Sequence, residues 1–297
     1  MYRLIVHADD LGLSERVNEG ILQAHRHGIL TSTSLIANGP AFEQAVQICR
    51  AVPTLDVGIH LTLVEEPPLL SVAAVPSLVG AAGKLHPHAR VFTKKYFRGQ
   101  IQLREVRDEL EAQIKMVMSH GISISHLDSH QHVHMLPDVL RITVELAKAY
   151  GIPAIRLPYE KVQLYMLEGT RAVSRICQLL VLNTFCRLGR QAIPLRTDYF
   201  HGLFFGGHLH NHNLQQLLRY LPSTGTGELM CHPGVDDLDT HYGHWGYHWS
   251  DELAALIDPE VAELLRQKGV QLISYRQLGL KPNNYTTKGK VGGELFA

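Results

Sequence analysis

The stretch YRLIVHADDLGLSERVNEGILQAHRHG, residues 2–28, decides the fold class of this chain. Its apolar run at 2–8 predicts a buried β-strand, and the spacing of apolar side chains from Val17 to Ala24 predicts the inner face of a helix. Ser14 is placed to cap the start of that helix, and Gly28 to end it. The turn ADDLGLS lacks the GxGxxG pattern of dinucleotide-binding domains, so we expect another kind of parallel α/β fold.

The same order of strand and then helix continues along the chain. About seven or eight repeats predict a distorted (β/α) barrel of about seven parallel strands with imperfect closure. We expect a single barrel domain over 1–280, an irregular insertion at 64–100 and a loose tail at 281–297. The other strands are predicted at 31–38, 55–63, 122–128, 153–157, 199–204, 228–232 and 270–275, and the other helices at 41–51, 102–119, 137–150, 171–189, 213–220 and 251–268.

The overall composition is that of an ordinary globular protein. The chain has 297 residues, of which 45% are hydrophobic and 19% charged, and its formal net charge is zero. A neutral chain gives no reason to expect nucleic acid as a partner. The four cysteines form no CxxC pair and no N-terminal segment resembles a secretory signal, so we expect reduced thiols and a cytoplasmic protein.

No transmembrane segment is expected, because no run reaches the ~18 apolar residues that cross a bilayer. The segment RAVSRICQLLVLNTFCRLG, 171–189, has a helical pattern and carries arginine near both ends. We expect a helix that packs on the core. A lipid-facing surface is the alternative, and with it a peripheral position at the inner membrane.

Acidic and histidine side chains recur where the predicted strands end. In a barrel of parallel strands these carboxyl ends meet on one face, where residues from separate segments form the active site. Five separate segments contribute, which is stronger evidence than any one motif. The strand-end residues are Asp9, Asp10, His60, Asp128, His130, Arg156 and His232.

One carboxylate and two imidazoles from this set would suit a divalent metal ion with open positions for water. Zinc, manganese, cobalt and nickel fit such donors more naturally than magnesium. A bound water would have a lowered pKa and attack a carbonyl, while the second of Asp9 and Asp10 takes its proton and His232 protonates the leaving group. Both aspartates can face one site only if the strand turns at Leu11-Gly12.

Most of these residues also have a structural interpretation. Asp10 would cap a turn, His60 or His232 would be a buried hydrogen-bonded histidine, and Arg156 would form a structural salt bridge. The cluster HLDSHQHVH, 126–134, is harder to explain by packing, because every buried imidazole needs hydrogen-bond partners. This cluster therefore indicates a functional site, but it does not show which of its histidines takes part.

An aromatic stretch, HYGHWGYHWS at 241–250, follows the last strand-end histidine. Aromatic rings stack on the apolar faces of sugars, which makes Trp245 a candidate for substrate binding. Core packing or an oligomer contact is the alternative, and a homodimer is left open.

Six motifs of the chain resemble those of the YdjC-like carbohydrate deacetylases of the chitooligosaccharide type. The resemblance implies a divalent-metal-dependent de-N-acetylase on a distorted (β/α) barrel. It implies Asp10, His60 and His130 as metal ligands, Asp9 as the catalytic base and His232 as the acid. The motifs, which span residue 1 to about 275, are ADDLGLS, the N-x-G of Asn18 to Gly20, GILTSTSLIANG, GIHLTL, HLDSHQHVH and MCHPG.

Within this family, the 64–100 segment with LVEEPPLL and VPSLVG resembles a branch associated with hopanoid biosynthesis. The resemblance implies an N-acetylated amino-sugar substrate, in an oligosaccharide or linked to a hopanoid lipid. Gln131 stands where the family often has a third histidine. This difference leaves the implied metal ligands unchanged. The remaining candidates for substrate binding are Asp128, Arg156, His134 and Trp245.

Two other functions are open at this level. Asp/His sites also serve metal-dependent phosphoesterases on similar barrels, although the carboxylates here are few for two ions. A non-catalytic sugar- or lipid-binding module is the other alternative, but such a module needs no base and acid beside a metal. The identity of the single divalent ion is open among zinc, magnesium, manganese, cobalt and nickel.

Overall fold

The computed structural model describes residues 1–80, 82–167, 172–236 and 242–280. Within these ranges the chain forms one eight-stranded sheet in which every strand pairing is parallel. The strands are β1 (Tyr2–Leu11), β2 (Ser32–Leu35), β3 (Asp56–Leu61), β4 (His126–Ser129), β5 (Ala154–Ile155), β6 (Tyr199–His201), β7 (Gly225–Cys231) and β8 (Gln271–Leu272).

The strands follow the order β5, β4, β3, β2, β1, β7, β6. β8 pairs with Arg3 and Leu4 at the start of β1, whereas β2 joins β1 from His7 onward. No pairing among the described residues joins β5 to β6, so the barrel stays open there. The predicted α/β class and distorted barrel of about seven parallel strands are confirmed.

Helices connect the strands, as the alternating pattern predicts. The first one begins at its predicted cap, since the Ser14 hydroxyl accepts a hydrogen bond of 3.2 Å from the backbone N–H of Val17. In the described residues the α-helices are α1 (Glu15–His27), α2 (Phe42–Ala51), α3 (Ala89–Phe97), α4 (Leu103–Ser119), α5 (Pro137–Ala149), α6 (Ala172–Gly189), α7 (Asn211–Arg219), α8 (Trp249–Leu256) and α9 (Pro259–Gln267).

Two predicted elements differ from the structure. The segment 64–100, predicted to be irregular, contains helix α3. The single helix predicted over 251–268 is two helices, because Asp258 caps α9 and the ring of Pro259 cannot continue α8. The tail predicted at 281–297 lies outside the described residues, so the domain limits stay a prediction.

Helix α1 packs directly against the turn that follows β7. A Cβ atom on Gly20 would lie 2.3 Å from Cα of Gly234, much closer than two carbon atoms can approach. The backbone N–H of Val235 also donates a 3.2 Å hydrogen bond to the carbonyl of Arg16. The N-x-G motif of α1 therefore fixes the turn that carries His232.

Helix α6 has a buried side and an open side. Leu179 and Cys186 are buried, whereas Val173, Val181 and Leu188 are largely exposed. The prediction that this helix packs on the core therefore holds for one of its sides only. None of the helices in the described part of the chain is both long enough and apolar enough to cross a membrane.

Candidate active site

The end of β1 changes direction at Asp10. This residue has a φ of 70°, in the left-handed region, and the pairing of β1 with β2 is irregular between Ala8 and Leu11. As a result Asp9 and Asp10 both lie within reach of His60, and both are buried. The change of direction expected at Leu11-Gly12 occurs one residue earlier, inside the strand.

The carboxylate of Asp10 contacts two imidazoles. Its Oδ1 atom lies 3.3 Å from Nε2 of His60 and 3.1 Å from Nδ1 of His130. Two donors bound tetrahedrally at about 2.1 Å from one ion lie about 3.4 Å apart, close to both distances. The structure thus brings together the three predicted ligands in an arrangement that fits a divalent ion.

Two other groups of three buried donors occur among the described residues: His7, His126 and Asp128, and Asp9, His60 and Asp128. Both contain carboxylates that already accept bonds from the guanidinium of Arg156. A metal ion there would meet the positive charge of Arg156. Within the described ranges the Asp10 group has no arginine or lysine among its contacts, so it is the better candidate metal centre.

His60 is oriented by Asp128, its partner in the register between β3 and β4. Nδ1 of His60 lies 2.9 Å from Oδ1 of Asp128, and the hydroxyl of Ser34 donates to Oδ2 of the same carboxylate at 2.9 Å. A carboxylate on one ring nitrogen fixes the tautomer and directs the other nitrogen toward the ligand position. Burial alone lowers the pKa of His60, but Asp128 and Asp10 outweigh burial and raise the pKa to about 10.

His130 is held from its other side by Glu65. Nε2 of His130 lies 3.0 Å from Oε2 of Glu65, and the side-chain amide of Gln131 donates to Oε1 of the same glutamate at 3.1 Å. Burial alone lowers the pKa of His130, but Asp10 and then Glu65 outweigh burial and raise the pKa to about 9. Each proposed imidazole ligand therefore has a carboxylate behind it.

Arg156 is fully buried and binds three carboxylates. Its Nη1 and Nη2 atoms donate to the two oxygens of Asp9 at 2.8 and 2.7 Å. Nη1 also lies 2.8 Å from Asp128, and Nε donates to Glu228 at 2.8 Å. Burial alone would raise the pKa of Asp9, but Arg156 and then His60 outweigh burial and lower it. Asp9 is therefore a fixed carboxylate that is ionised at neutral pH.

His232 lies in the turn after β7 and is backed by Glu252. Its backbone N–H donates to this buried glutamate, and its Nδ1 lies 3.8 Å from Oε2. Burial alone lowers the pKa of His232, but Glu252 outweighs burial and raises it. The raised pKa favours the protonated imidazole, which is the form that can donate a proton.

A cavity of about 710 Å³ connects these groups. Asp9, His130 and His232 line it together with Tyr247. Side chains of α3 and α6 form much of the remaining wall, and residues that follow β4 and β6 contribute to it, such as Met135 and Leu203. The predicted base, one predicted ligand and the predicted acid thus face one common space.

Three of the four predicted substrate-binding residues are buried. Asp128 and Arg156 are 0% exposed, and His134 is 1% exposed, with its ring between the hydroxyl of Ser129 and the carbonyl of Arg156. These side chains have no surface for a substrate, so their contacts favour a positioning role over substrate contact. Trp245 is different, because it is half-buried and its ring lies 5.0 Å from that of His130.

The YdjC-like protein family matches residues 3–267 of the chain. The chain belongs to this family. A carbohydrate deacetylase from Geobacillus stearothermophilus is 34% identical over 277 residues, which are 92% of this chain and 96% of that protein. A chitooligosaccharide deacetylase from Yersinia enterocolitica is 33% identical over 275 residues, which are 92% of this chain and 97% of that protein. The predicted resemblance is confirmed at the level of the YdjC-like family.

A solved structure has a similar fold. It belongs to a protein of Enterococcus faecalis V583 for which cellobiose-phosphate cleavage has been suggested. The two structures align with a TM-score of 0.73 and 29% sequence identity over 93% of this chain and 98% of that one.

Three carboxylates of the YdjC-like site escaped the sequence analysis. Glu228 had a signal, because it is an acidic residue inside the otherwise apolar strand β7. Glu65 lies in a loop with a φ of 71°, and Glu252 lies on α8 among ordinary helical residues. Neither position carries a local pattern, and only the folded chain shows that they support His130 and His232.

The raised pKa values of His60 and His130 predict a pH-dependent metal affinity. Both imidazoles hold protons at pH 7 in the metal-free YdjC-like site, and a metal ligand must be neutral. We therefore expect metal binding at pH 7 to release about two protons and affinity to rise with pH up to about 10. Isothermal titration calorimetry in buffers of different ionisation enthalpy measures this release. An affinity that does not change between pH 6 and 8 would contradict it.

Proposed function

We propose that this YdjC-like protein removes the acetyl group from an N-acetylated amino sugar with one divalent metal ion. The observation that carries the proposal is the buried cluster of Asp10, His60 and His130, with Asp9 and His232 on the same cavity. One carboxylate and two imidazoles leave coordination positions for water and substrate. The carbohydrate deacetylases among the relatives, 31–34% identical over most of the chain, support this class of enzyme.

The roles of the side chains follow from their contacts. An ion held by Asp10, His60 and His130 would polarise the acetamide carbonyl and make a nearby water more acidic. Asp9 is ionised and is held by two hydrogen bonds from Arg156, so it can accept the proton of the attacking water. His232 donates a proton to the sugar nitrogen as the C–N bond breaks. The products are acetate and the free amino sugar.

The buried residues are proposed to position these groups. Asp128 orients His60 and also binds Arg156, and His134 supports the carbonyl of Arg156. Such outer contacts change ligand affinity or rate without touching the substrate. Trp245, whose ring lies beside His130, is proposed to form a wall for the sugar ring.

The acceptor is proposed to be an N-acetylglucosamine unit of an oligosaccharide or of a hopanoid glycolipid. The resemblance of 64–100 to the hopanoid-associated branch supports the lipid. The cavity wall supports it too, since apolar side chains of α6 such as Leu179, Leu182 and Phe185 line the same cavity as Asp9.

Acetate release tests the proposed function. The purified protein is incubated with acetylated chitooligosaccharides or an acetylglucosaminyl lipid and with each divalent metal. We expect acetate, a rate that falls more than about 100-fold after chelation, and recovery when metal is added back. Metal analysis of the same sample shows that the ion is bound.

The same screen separates the alternatives. Cellobiose phosphate and a generic phosphate ester test the activity suggested for the Enterococcus protein. Phosphate release without acetate release would favour the phosphoesterase. If metal is bound and no acetylated sugar releases acetate, the deacetylase proposal is wrong.

A further inference from the structure

Most of the large hydrophobic side chains that the described structure exposes lie in three short segments. We call residues 89–98, 161–167 and 172–190 together the α3–α6 face. Val173, Leu164 and Leu188 are 76%, 73% and 72% exposed. Soluble surfaces rarely carry such a concentration of apolar side chains without a partner. The exposed apolar residues of the face are Phe97, Val162, Leu164, Leu167, Val173, Leu180, Val181 and Leu188.

The three segments form one continuous surface. Phe97 at the end of α3 stacks on Phe185 of α6, with ring centroids 6.2 Å apart. Tyr165 and Met166 pack in one apolar cluster with Leu179 of α6, which leaves their neighbours Leu164 and Leu167 outside. On α6 the exposed positions recur at helical spacing, so they share one side of the helix.

The face is also strongly basic. Its described residues include no aspartate or glutamate, although the chain as a whole is neutral. None of the basic side chains forms an ion pair with a carboxylate within the described residues. Asp138 is an acidic residue that contacts the face, where it bonds to Tyr96, and it also lies 3.6 Å from Arg141. The basic residues are Arg90, Lys94, Lys95, Arg98, Lys161, Arg175, Arg187 and Arg190.

We propose that the α3–α6 face docks on a bilayer that contains anionic phospholipid. Basic side chains attract the headgroups while apolar side chains enter the boundary of the acyl chains. A second copy of the chain fits less well, because a twofold interface would press this basic surface against itself. Since none of the described helices can cross the bilayer, the protein would lie on its surface.

The catalytic cavity opens onto this same face. Val181 lines the cavity and is 60% exposed, and Cys177 lines it from an exposed position one turn earlier. A lipid-linked amino sugar could therefore pass from the bilayer into the cavity, with its acetamide toward Asp9 and His130. This part of the proposal rests on the proposed deacetylase function, whereas the docking surface does not.

Vesicle binding tests the proposal with the full-length chain. Sedimentation with phosphatidylcholine vesicles is compared with vesicles that contain about one third phosphatidylglycerol. We expect at least about tenfold stronger binding to the anionic vesicles, and loss of that difference in high salt. Val173→Glu combined with Leu188→Glu should weaken binding at least about tenfold, and Lys94→Glu about fivefold.

Matched controls lie outside the face. Val72→Glu places a charge on an exposed valine of another region, and Arg104→Glu reverses a well-exposed charge on α4. Both should bind vesicles within about twofold of the unchanged protein. All variants should release acetate from a water-soluble chitooligosaccharide at the unchanged rate, which shows that they fold.

The outcomes separate the two proposals. Equal binding to neutral and anionic vesicles at low salt, or face variants that bind like the controls, would overturn docking. Face variants that break a dimer, with no vesicle binding by the unchanged protein, would assign the face to a second copy instead. Vesicle binding without acetate release would keep the docking surface and remove the deacetylase.

Discussion

Asp9→Asn is expected to lower kcat by about 10³-fold while metal content stays unchanged. A positioned general base contributes about 10²–10⁴-fold to rate, and an amide cannot take the proton. Asp9 bonds to Arg156 rather than to the proposed ligands His60 and His130, so the metal donors keep their contacts. The loss should therefore appear in kcat, with metal analysis giving the same occupancy as in the unchanged protein.

A matched control exists at the other end of the barrel. Asp56 is also a buried strand aspartate paired with an arginine, and its Oδ1 lies 3.0 Å from Nε of Arg276. Asp56→Asn should cost stability without changing kcat. Full activity in Asp9→Asn would show that this carboxylate is not the base.

His130→Ala is expected to remove the metal and, with it, the activity. His130 supplies one of three donors, and even contacts behind a ligand are worth about 10–100-fold in affinity. Loss of the ligand itself should weaken binding by more than about 100-fold. Metal content after dialysis and calorimetric titration both measure this effect. Asp10→Ala should behave in the same way.

His25→Ala is the control for a buried histidine. His25 is 4% exposed and bonds to the carbonyl of Leu30 and the hydroxyl of Thr54, away from the cavity. It should lose some thermal stability and keep both metal and activity. Unchanged metal affinity in His130→Ala would contradict the ligand assignment and direct attention to the other buried donor groups.

The strand-end rule located most of the site from sequence. Asp9, Asp10, His60, His130 and His232 are brought to one end of the barrel because parallel strands end on the same side. The rule does not predict the direction in which each side chain points once the strand has ended. The left-handed backbone at Asp10, which lets both aspartates reach His60, lies one residue before the turn that the sequence predicts.

The buried support of the site depends on register between strands far apart in sequence. His60 and Asp128 are paired neighbours in β3 and β4, which no local pattern reveals. The sequence leaves Arg156 open among a structural salt bridge, the positioning of a substrate carboxylate and the orientation of Asp9 or Asp128. Its position among three carboxylates favours the orienting role. Glu65 contacts His130 from a loop that has no periodicity at all.

The fold was more predictable than its details. Alternating strand and helix patterns give the parallel barrel, because each pattern reflects which faces are buried. Helix α3 within 64–100 was missed, since its apolar face is short and only Phe92 is fully buried. The sequence could have predicted the break at Asp258-Pro259, because a helix usually ends before a proline.

The carboxylate of Asp128 is shared, through Oδ1 with His60 and through Oδ2 with Arg156. An ion held by Nε2 of His60 would draw electron density from the ring and strengthen the hydrogen bond between Nδ1 and Asp128. Asp128 would then hold Arg156 less tightly, and the guanidinium would bind Asp9 more strongly. With the proposed ligands and base, metal binding and the proton affinity of Asp9 would therefore be coupled through Asp128, and a substitution that changes one would change the other.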